Sequence, residues 1–483
     1  MANPRVITSY RVRYVLVGRH IVEDCIVDVA GGRIVAVRHS EESSKTEEAM
    51  QVSRPTPIDL GDVALVPGLV NAHSHAFQRA IRGHTEVLSA EHPEDDFWSW
   101  RTKMYEAAET FTPEQIEAVS ALAFLEMALG GITTVGEFHY IHHQPGGAPY
   151  DDPNELAHRV IRSAERVGIR IALLRVAYAR GGFGKEASSG QMRFVEPDVD
   201  TYLERLEGLR NHYDKSPLVE VGLAPHSIRA VPSGWLRRLG EYARDQDLPL
   251  HIHACEQRAE LEESLAEYGK TPIEAFADMG ILDDRHTLVH ATHLSAAELD
   301  LMEEHRPTVC ACPTTERNLG DGFLPALALA RRKVPISLGS DSHTVIDLWE
   351  EMRLVEYHER LRLERRNVLA GELEGHRLLD EDERYWPTAR MLFPMGTLNG
   401  ARSLRMPVGS LDPGAFADFV TVDLDHISLI GTSAQTLLAD MTLSMPAGAV
   451  KDVFVGGRRV VEDGRHPEQE AIIARYRLAL ENL

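Results

Sequence analysis

Short apolar runs recur along the chain, each closed by polar residues and separated from the next by room for a helix. Eight follow in order: ALVPGLV before His73, ITTVGEF before His139, RIALLRVAY ending at Tyr178, LVEVGLAP before His226, LPLHIHAC around His253, HTLVHAT around His290, PTVCACPTT near Glu316 and VPISLGSDS containing Asp341. Runs this continuously apolar fit parallel strands buried on both faces. Amphipathic windows such as Pro113 to Leu129 and Ile273 to Met279 lie between them. Eight strand–helix repeats predict an α/β fold, a (β/α)8 TIM barrel. Both ends of the chain have another rhythm. Val12 to Val17, Cys25 to Val29 and Arg33 to Val37 read as strands punctuated by Gly18, Gly31 and Gly32, and Asp418 to Asp423 and Val450 to Val461 match them. The expectation is a small β-sandwich domain built from residues 1–65 and 405–483, with the barrel spanning 66–404.

Three further stretches carry weaker expectations. Ser40 to Thr56 reads as a polar surface loop, and the Gly-rich segment from Ala179 to Arg193 as a loop that could cover a site. Glu350 to Glu383, dense in Arg and Glu, reads as a solvated helix laced with i,i+4 pairs.

Charge narrows the function. The formal net charge of the 483 residues is −23, which argues against nucleic acid as partner, because that affinity comes largely from Lys and Arg on phosphates. It argues equally against an anionic membrane surface. No apolar run approaches the ~20 residues of a membrane helix, and the first residues lack the apolar core of a signal peptide. Cys25, Cys255, Cys310 and Cys312 form no CxxC pair, so they read as buried thiols of a soluble cytoplasmic protein.

The polar residues that close the runs carry the chemistry, since barrel active sites lie at the C-terminal strand ends. His73 and His75 flank Ser74 at the end of the first run, and alternation sends both imidazoles to one side. His253 closes the fifth run and Asp341 the eighth. Three imidazoles and a carboxylate suit one Zn2+ per chain with an open position for water.

The motifs PGLVNAHSH (Pro67 to His75), HIHACE (His251 to Glu256) and SDSH (Ser340 to His343), with the tail segments GSLDPGAFAD (Gly409 to Asp418) and VFVGGRRVVEDG (Val453 to Gly464), resemble the amidohydrolase superfamily over nearly the whole chain. No lysine closes the fourth run, where His226 stands, so the resemblance implies the mononuclear, deaminase-like branch. It also implies His253 rather than His251 as third imidazole ligand. In that branch Asp341 accepts a proton from water, Glu256 carries a proton to the departing nitrogen, and His290 steadies developing charge.

Further motifs narrow the branch: HAFQR (His75 to Arg79), FWSWR (Phe97 to Arg101), EFHYIHH (Glu137 to His143), HSIR (His226 to Arg229) and ERNLGDG (Glu316 to Gly322). They closely resemble the subfamily that hydrolyses N-formimidoyl-L-glutamate to N-formyl-L-glutamate and ammonia in histidine degradation. The resemblance implies that Gln78, Arg101, Tyr140, His226 and Arg229 hold the two substrate carboxylates, and that the enzyme is a homodimer. Arg forks matched to carboxylate oxygens agree with such a small anionic substrate. The alternative is a sister deaminase acting on a purine-like or amidine substrate. Arg317, beside Glu316, has two open readings: contact with substrate, or pairing with a neighbouring acid.

Overall fold

The computed structural model describes residues 6–40, 56–86, 88, 96–372 and 387–481. Most of the expected Ser40–Thr56 loop and the end of the Arg/Glu-rich segment therefore lie outside the described residues. In chain order the strands are β1 (Ile7–Val17), β2 (His20–Ala30), β3 (Arg33–His39), β4 (Ile58–Asp59) and β5 (Val63–Pro67). Next come β6 (Leu69–Ser74), β7 (Ile132–His139), β8 (Arg170–Ala177), β9 (Val219–Pro225), β10 (Leu250–Ala254), β11 (His286–His290), β12 (Thr308–Ala311) and β13 (Ile336–Leu338). Three more, β14 (Phe419–Asp423), β15 (Val450–Val455) and β16 (Arg458–Val461), follow the last barrel helices.

Strands β6 to β13 lie side by side in sequence order, and every paired neighbour is parallel. The seam between β13 and β6 is closed at the rim: Asp341 N donates to His73 O (3.1 Å) and His75 N to Asp341 O (3.1 Å). This is a (β/α)8 barrel. Its strands are almost wholly buried, as in Ile132–His139 and Arg170–Ala177, which is why they read as continuous apolar runs rather than alternating ones. Because all eight run the same way, the residues closing the runs meet at one rim. Several there leave the strand with positive φ despite carrying side chains: Cys255 (54°), His290 (72°), Ala291 (51°) and Asp341 (45°). Such backbone is sparsely populated outside glycine and clusters at functional sites.

The first expected run, ALVPGLV, divides in two. Val63–Pro67 pairs with β14, antiparallel, and β1, parallel, in the other sheet, while the barrel begins at Leu69. Gly68 marks the break: a Cβ there would stand 2.3 Å from Thr133 Oγ1, so only glycine lets the chain pass.

The terminal strands form one sheet in the order β16-β15-β14-β5-β1-β2-β3, with β4 beside β1. Tyr10 of β1 and Phe454 of β15 are three strands apart, which in a flat sheet is about 14 Å. Their ring centroids are 5.2 Å apart, so the sheet curls back on itself around a core including Tyr10, Val12, Leu65, Phe419 and Phe454. A buried ion pair joins it to the barrel: Arg170 Nε, opening β8, donates to Asp418 Oδ2 at 2.5 Å.

The helix Leu348–Leu363 departs from the solvated reading. Its pairs Arg360–Glu356 and Arg362–Glu359 are present, yet Glu351, Glu356 and Glu359 are buried. Their carboxylates cap neighbouring backbone, accepting from Thr314 N (2.9 Å), Val368 N (2.8 Å) and Leu327 N (3.2 Å). Buried acids of this kind serve donors that loops leave unpaired.

Candidate active site

His73, His75, His253 and Asp341 converge at the rim, with one ligand atom of each within 4.8 Å of the others. His73 Nε2 lies 3.1 Å from His75 Nε2, and both lie 3.2 Å from Asp341 Oδ1. Tetrahedral ligands about 2.0–2.1 Å from a zinc ion would stand about 3.3 Å from one another, so these separations fit a shared divalent cation. The tautomers fit as well. His75 Nδ1 meets Phe138 O at 3.0 Å and His253 Nδ1 meets His226 O at 3.0 Å, which places each proton on Nδ1 and leaves Nε2 with its lone pair. Burial pushes His73 down to about 3 and His253 well below its usual range. Burial works against ionisation of Asp341, but its contacts with His73 and His75 outweigh that and hold it well below the usual carboxylate range.

Beside this quartet lies a second polar cluster. Glu256 Oε1 is 3.6 Å from His290 Nε2, and His290 Nε2 is 3.9 Å from Asp341 Oδ2. On its far side His290 Nδ1 faces Glu316 Oε1 at 3.4 Å, an oxygen that also accepts from Cys312 N at 2.8 Å. Burial opposes charge on His290, but Glu256, Glu316 and Asp341 together hold its pKa well above the ordinary value. Burial raises Glu256, and it pushes Asp321, which accepts from Gln257, up to about 9.

The cations stand across the cleft. Arg229 is buried, with Nη2 3.7 Å from Glu256 and Nε 3.5 Å from Glu260. Arg101, on the helix Phe97–Thr110, lies 4.5 Å over the ring of Trp98 and 5.5 Å over that of Tyr105. Gln78 Nε2 donates to Tyr140 Oη at 2.9 Å, while its Oε1 is buried without a partner. His226 sits half-buried at the rim, its Nδ1 3.1 Å from Ser227 Oγ; burial, then Arg229, lowers its pKa well below the ordinary value.

Thus Gln78, Arg101, Tyr140, His226, Arg229, Glu256 and His290 line one cleft with His75, His253 and Asp341. His73 lies beneath, fully buried. Arg317 is not in the cleft: it is half exposed and pairs with Glu350 at 3.1 Å. No residue of Ala179–Arg193 lines the cleft either, though Arg180 donates to Arg229 O (2.9 Å) and Ile228 O (3.1 Å) and so pins the segment bearing Arg229. No role is legible in the sequence for Glu260, Glu316 or Asp321, the last two appearing only at the end of the seventh run and within the motif ERNLGDG. Each is an acid among other acids, and nothing local marks it as buried.

A model of the amidohydrolase family matches residues 64–460. The formimidoylglutamate deiminase of Pseudomonas aeruginosa is 39% identical over 408 residues, 84% of this chain and 86% of its own length. A 5-methylthioadenosine/S-adenosylhomocysteine deaminase of Halalkalibacterium halodurans is 28% identical over 439 residues, 89% of this chain and 86% of its own. Among solved structures, an amidohydrolase from Brucella melitensis superposes with a TM-score of 0.85 at 34% identity, covering 98% of this chain and 99% of that one. An adenosine deaminase from Xanthomonas campestris, solved with bound zinc, gives a TM-score of 0.79 at 25% identity, covering 99% of each chain.

Proposed function

The chain belongs to the amidohydrolase family, and from that membership we propose that it is a zinc-dependent deiminase converting N-formimidoyl-L-glutamate and water to N-formyl-L-glutamate and ammonia. One observation carries the choice of substrate: in a chain of net charge −23, Arg101 and Arg229 face a cleft that also holds a hydrolytic cluster. Two guanidinium forks suit the two carboxylates of a glutamate derivative.

Arg101, Arg229 and His226, with the polar atoms of Gln78 and Tyr140, bind the carboxylates and set the formimidoyl carbon toward Glu256, His290 and Asp341. A zinc ion held by His73, His75, His253 and Asp341 supplies, when bound, the lowered water pKa that hydrolysis at neutral pH requires. Water oxygen bonds to the formimidoyl carbon while the C=N electrons move to nitrogen. Asp341 accepts the first proton, and Glu256, kept protonatable by burial, passes a proton to the departing nitrogen. His290, held between Glu256 and Glu316, donates toward the charge developing on the attacked centre. The C–N bond then breaks; the oxygen stays on carbon as the formyl group, and both water protons leave with nitrogen as ammonia.

The same reading takes residues 1–65 with 405–483 as an accessory β-domain around a catalytic unit of 66–404. It also places the protein in histidine degradation, as a cytoplasmic homodimer. The four free, buried cysteines agree with a reducing compartment, and no helix among the described residues is long and apolar enough to cross a membrane. The deciding assay is ammonia release. It is expected from N-formimidoyl-L-glutamate and not from guanine or adenosine; release from a purine alone would reverse the assignment.

A further inference from the structure

Arg229 is suspended between two buried carboxylates, and neither contact is a hydrogen bond. Glu256 Oε2 lies 3.7 Å from Nη2 and Glu260 Oε2 lies 3.5 Å from Nε. The guanidinium Nε has no hydrogen-bond partner, and Glu260 meets no side-chain donor at bonding geometry, the main-chain N–H of Cys255 being the one donor that eases its charge. Glu260 is fully buried in the first turn of the helix Arg258–Tyr268, four residues beyond Glu256. A buried carboxylate with no side-chain donor is costly and needs a compensating charge nearby. Among the described residues its one ion-pair partner is Arg229.

The arrangement has consequences for both neighbours. With Glu260 removed, Glu256 would be the one carboxylate left within ion-pair reach of Arg229 among the described residues. The guanidinium would close onto it, locking the proton-carrying group into a tight pair and turning the fork away from the cleft. Shared between two acids along the one edge formed by Nε and Nη2, it does neither. We propose that Glu260 is a positioning residue that holds Arg229 by its Nε, keeping the Nη1 end turned to a substrate carboxylate and Glu256 free for proton transfer. The proposal rests on the reading of Arg229 as a carboxylate-binding residue.

The test compares two substrates: N-formimidoyl-L-glutamate, and N-propylformamidine, which carries the reacting group and no carboxylate. Assays at pH 8 keep Glu260 ionised, since burial pushes its carboxyl up to about 7. Glu260→Gln is expected to raise KM for the dicarboxylate about ten-fold and to lower kcat about ten-fold, with zinc content unchanged. On N-propylformamidine the kcat loss persists and KM does not move, a split that general loosening of the fold would not produce. Glu260→Asp, which keeps the charge on a shorter arm, is expected to cut both effects to about three-fold. Should the Gln variant fail to fold, the Asp variant decides alone, and parent-like constants in it overturn the proposal. If Glu260→Gln matches the parent while Arg229→Ala raises KM, Glu260 does not position Arg229. If Arg229→Ala also leaves KM unchanged, the carboxylate reading of Arg229 fails and takes this proposal with it.

Discussion

His253 donates twice to the main-chain carbonyl of His226, through its amide nitrogen at 3.1 Å and through Nδ1 at 3.0 Å. The first bond continues the pairing of β10 with the chain just past the end of β9; the second fixes the ring. One carbonyl therefore sets both the height of His253 at the rim and the nitrogen it presents to the cleft. His75 is fixed likewise by Phe138 O, whereas His73 Nδ1 is buried without a partner. Two of the four rim side chains, His75 and His253, are thus oriented by backbone carbonyls, which survive side-chain substitution elsewhere.

Purified protein is accordingly expected to carry about one zinc per chain, measurable by atomic absorption. Dialysis against a chelator should abolish turnover, and zinc should restore it. A ligand that binds the folded but not the unfolded chain stabilises by mass action, so the chelated protein should melt several degrees lower, at roughly 2–4 °C per kcal/mol for a large domain. Equal melting temperatures would show that the quartet holds no ion.

Glu256 lies 3.6 Å from His290 and outside the quartet. Glu256→Gln keeps the shape of the side chain and removes its proton chemistry, so kcat should fall roughly 10²–10⁴-fold while zinc content stays at the parental value. Loss of zinc would mark Glu256 as a ligand instead.

The two arginines should separate by burial. Arg101 is half-buried on an aromatic ledge, without a carboxylate in ion-pair reach among the described residues. Arg101→Ala should raise KM on the order of ten-fold, the effect of one charged hydrogen bond, with little change in stability. Arg229→Ala strands Glu256 and Glu260, both buried. It should raise KM on the order of a hundred-fold and, by removing one side of a buried pair, cost about 3 kcal/mol in urea unfolding. Equal stability losses in the two variants would mean that the acids are neutral in the fold.

Much of this was legible because a parallel barrel writes itself as apolar runs ending in polar residues, and His73, His253, His290 and Asp341 all close such runs. The division at Gly68 was not legible. Two consecutive strands buried on all sides look like one, and the glycine is required by Thr133, 65 residues away in sequence and 2.3 Å from an added Cβ. Buried acids were hidden for a related reason. Glu260 shares its helix with Glu262, Glu263 and Glu267, and only the position of Arg229 across the cleft distinguishes it. Glu351, Glu356 and Glu359 sit in a stretch that reads as solvated, and only the loops they cap explain their burial.

Glu137 offers a pH test of the same kind. It is buried beneath the quartet, accepting from Ser74 Oγ and, at 2.8 Å, from Ala76 N. Burial, only partly offset by those bonds, pushes its carboxyl up to about 7, against about 4.3 in an unfolded chain. The fold therefore prefers the protonated form. Its contribution to stability is complete below the unfolded value and is lost as pH rises through about 7. In chelated protein, where no cation biases the site, the parent should lose about 3 kcal/mol more than Glu137→Gln between pH 4.5 and pH 8. Urea unfolding at the two pH values measures this. The difference between parent and variant is what counts, because His73, held near 3 by burial, shifts stability in the opposite direction over part of that range. Parallel pH profiles would show that Glu137 is ionised in the folded protein, and that Ser74 and Ala76 are bound to a carboxylate.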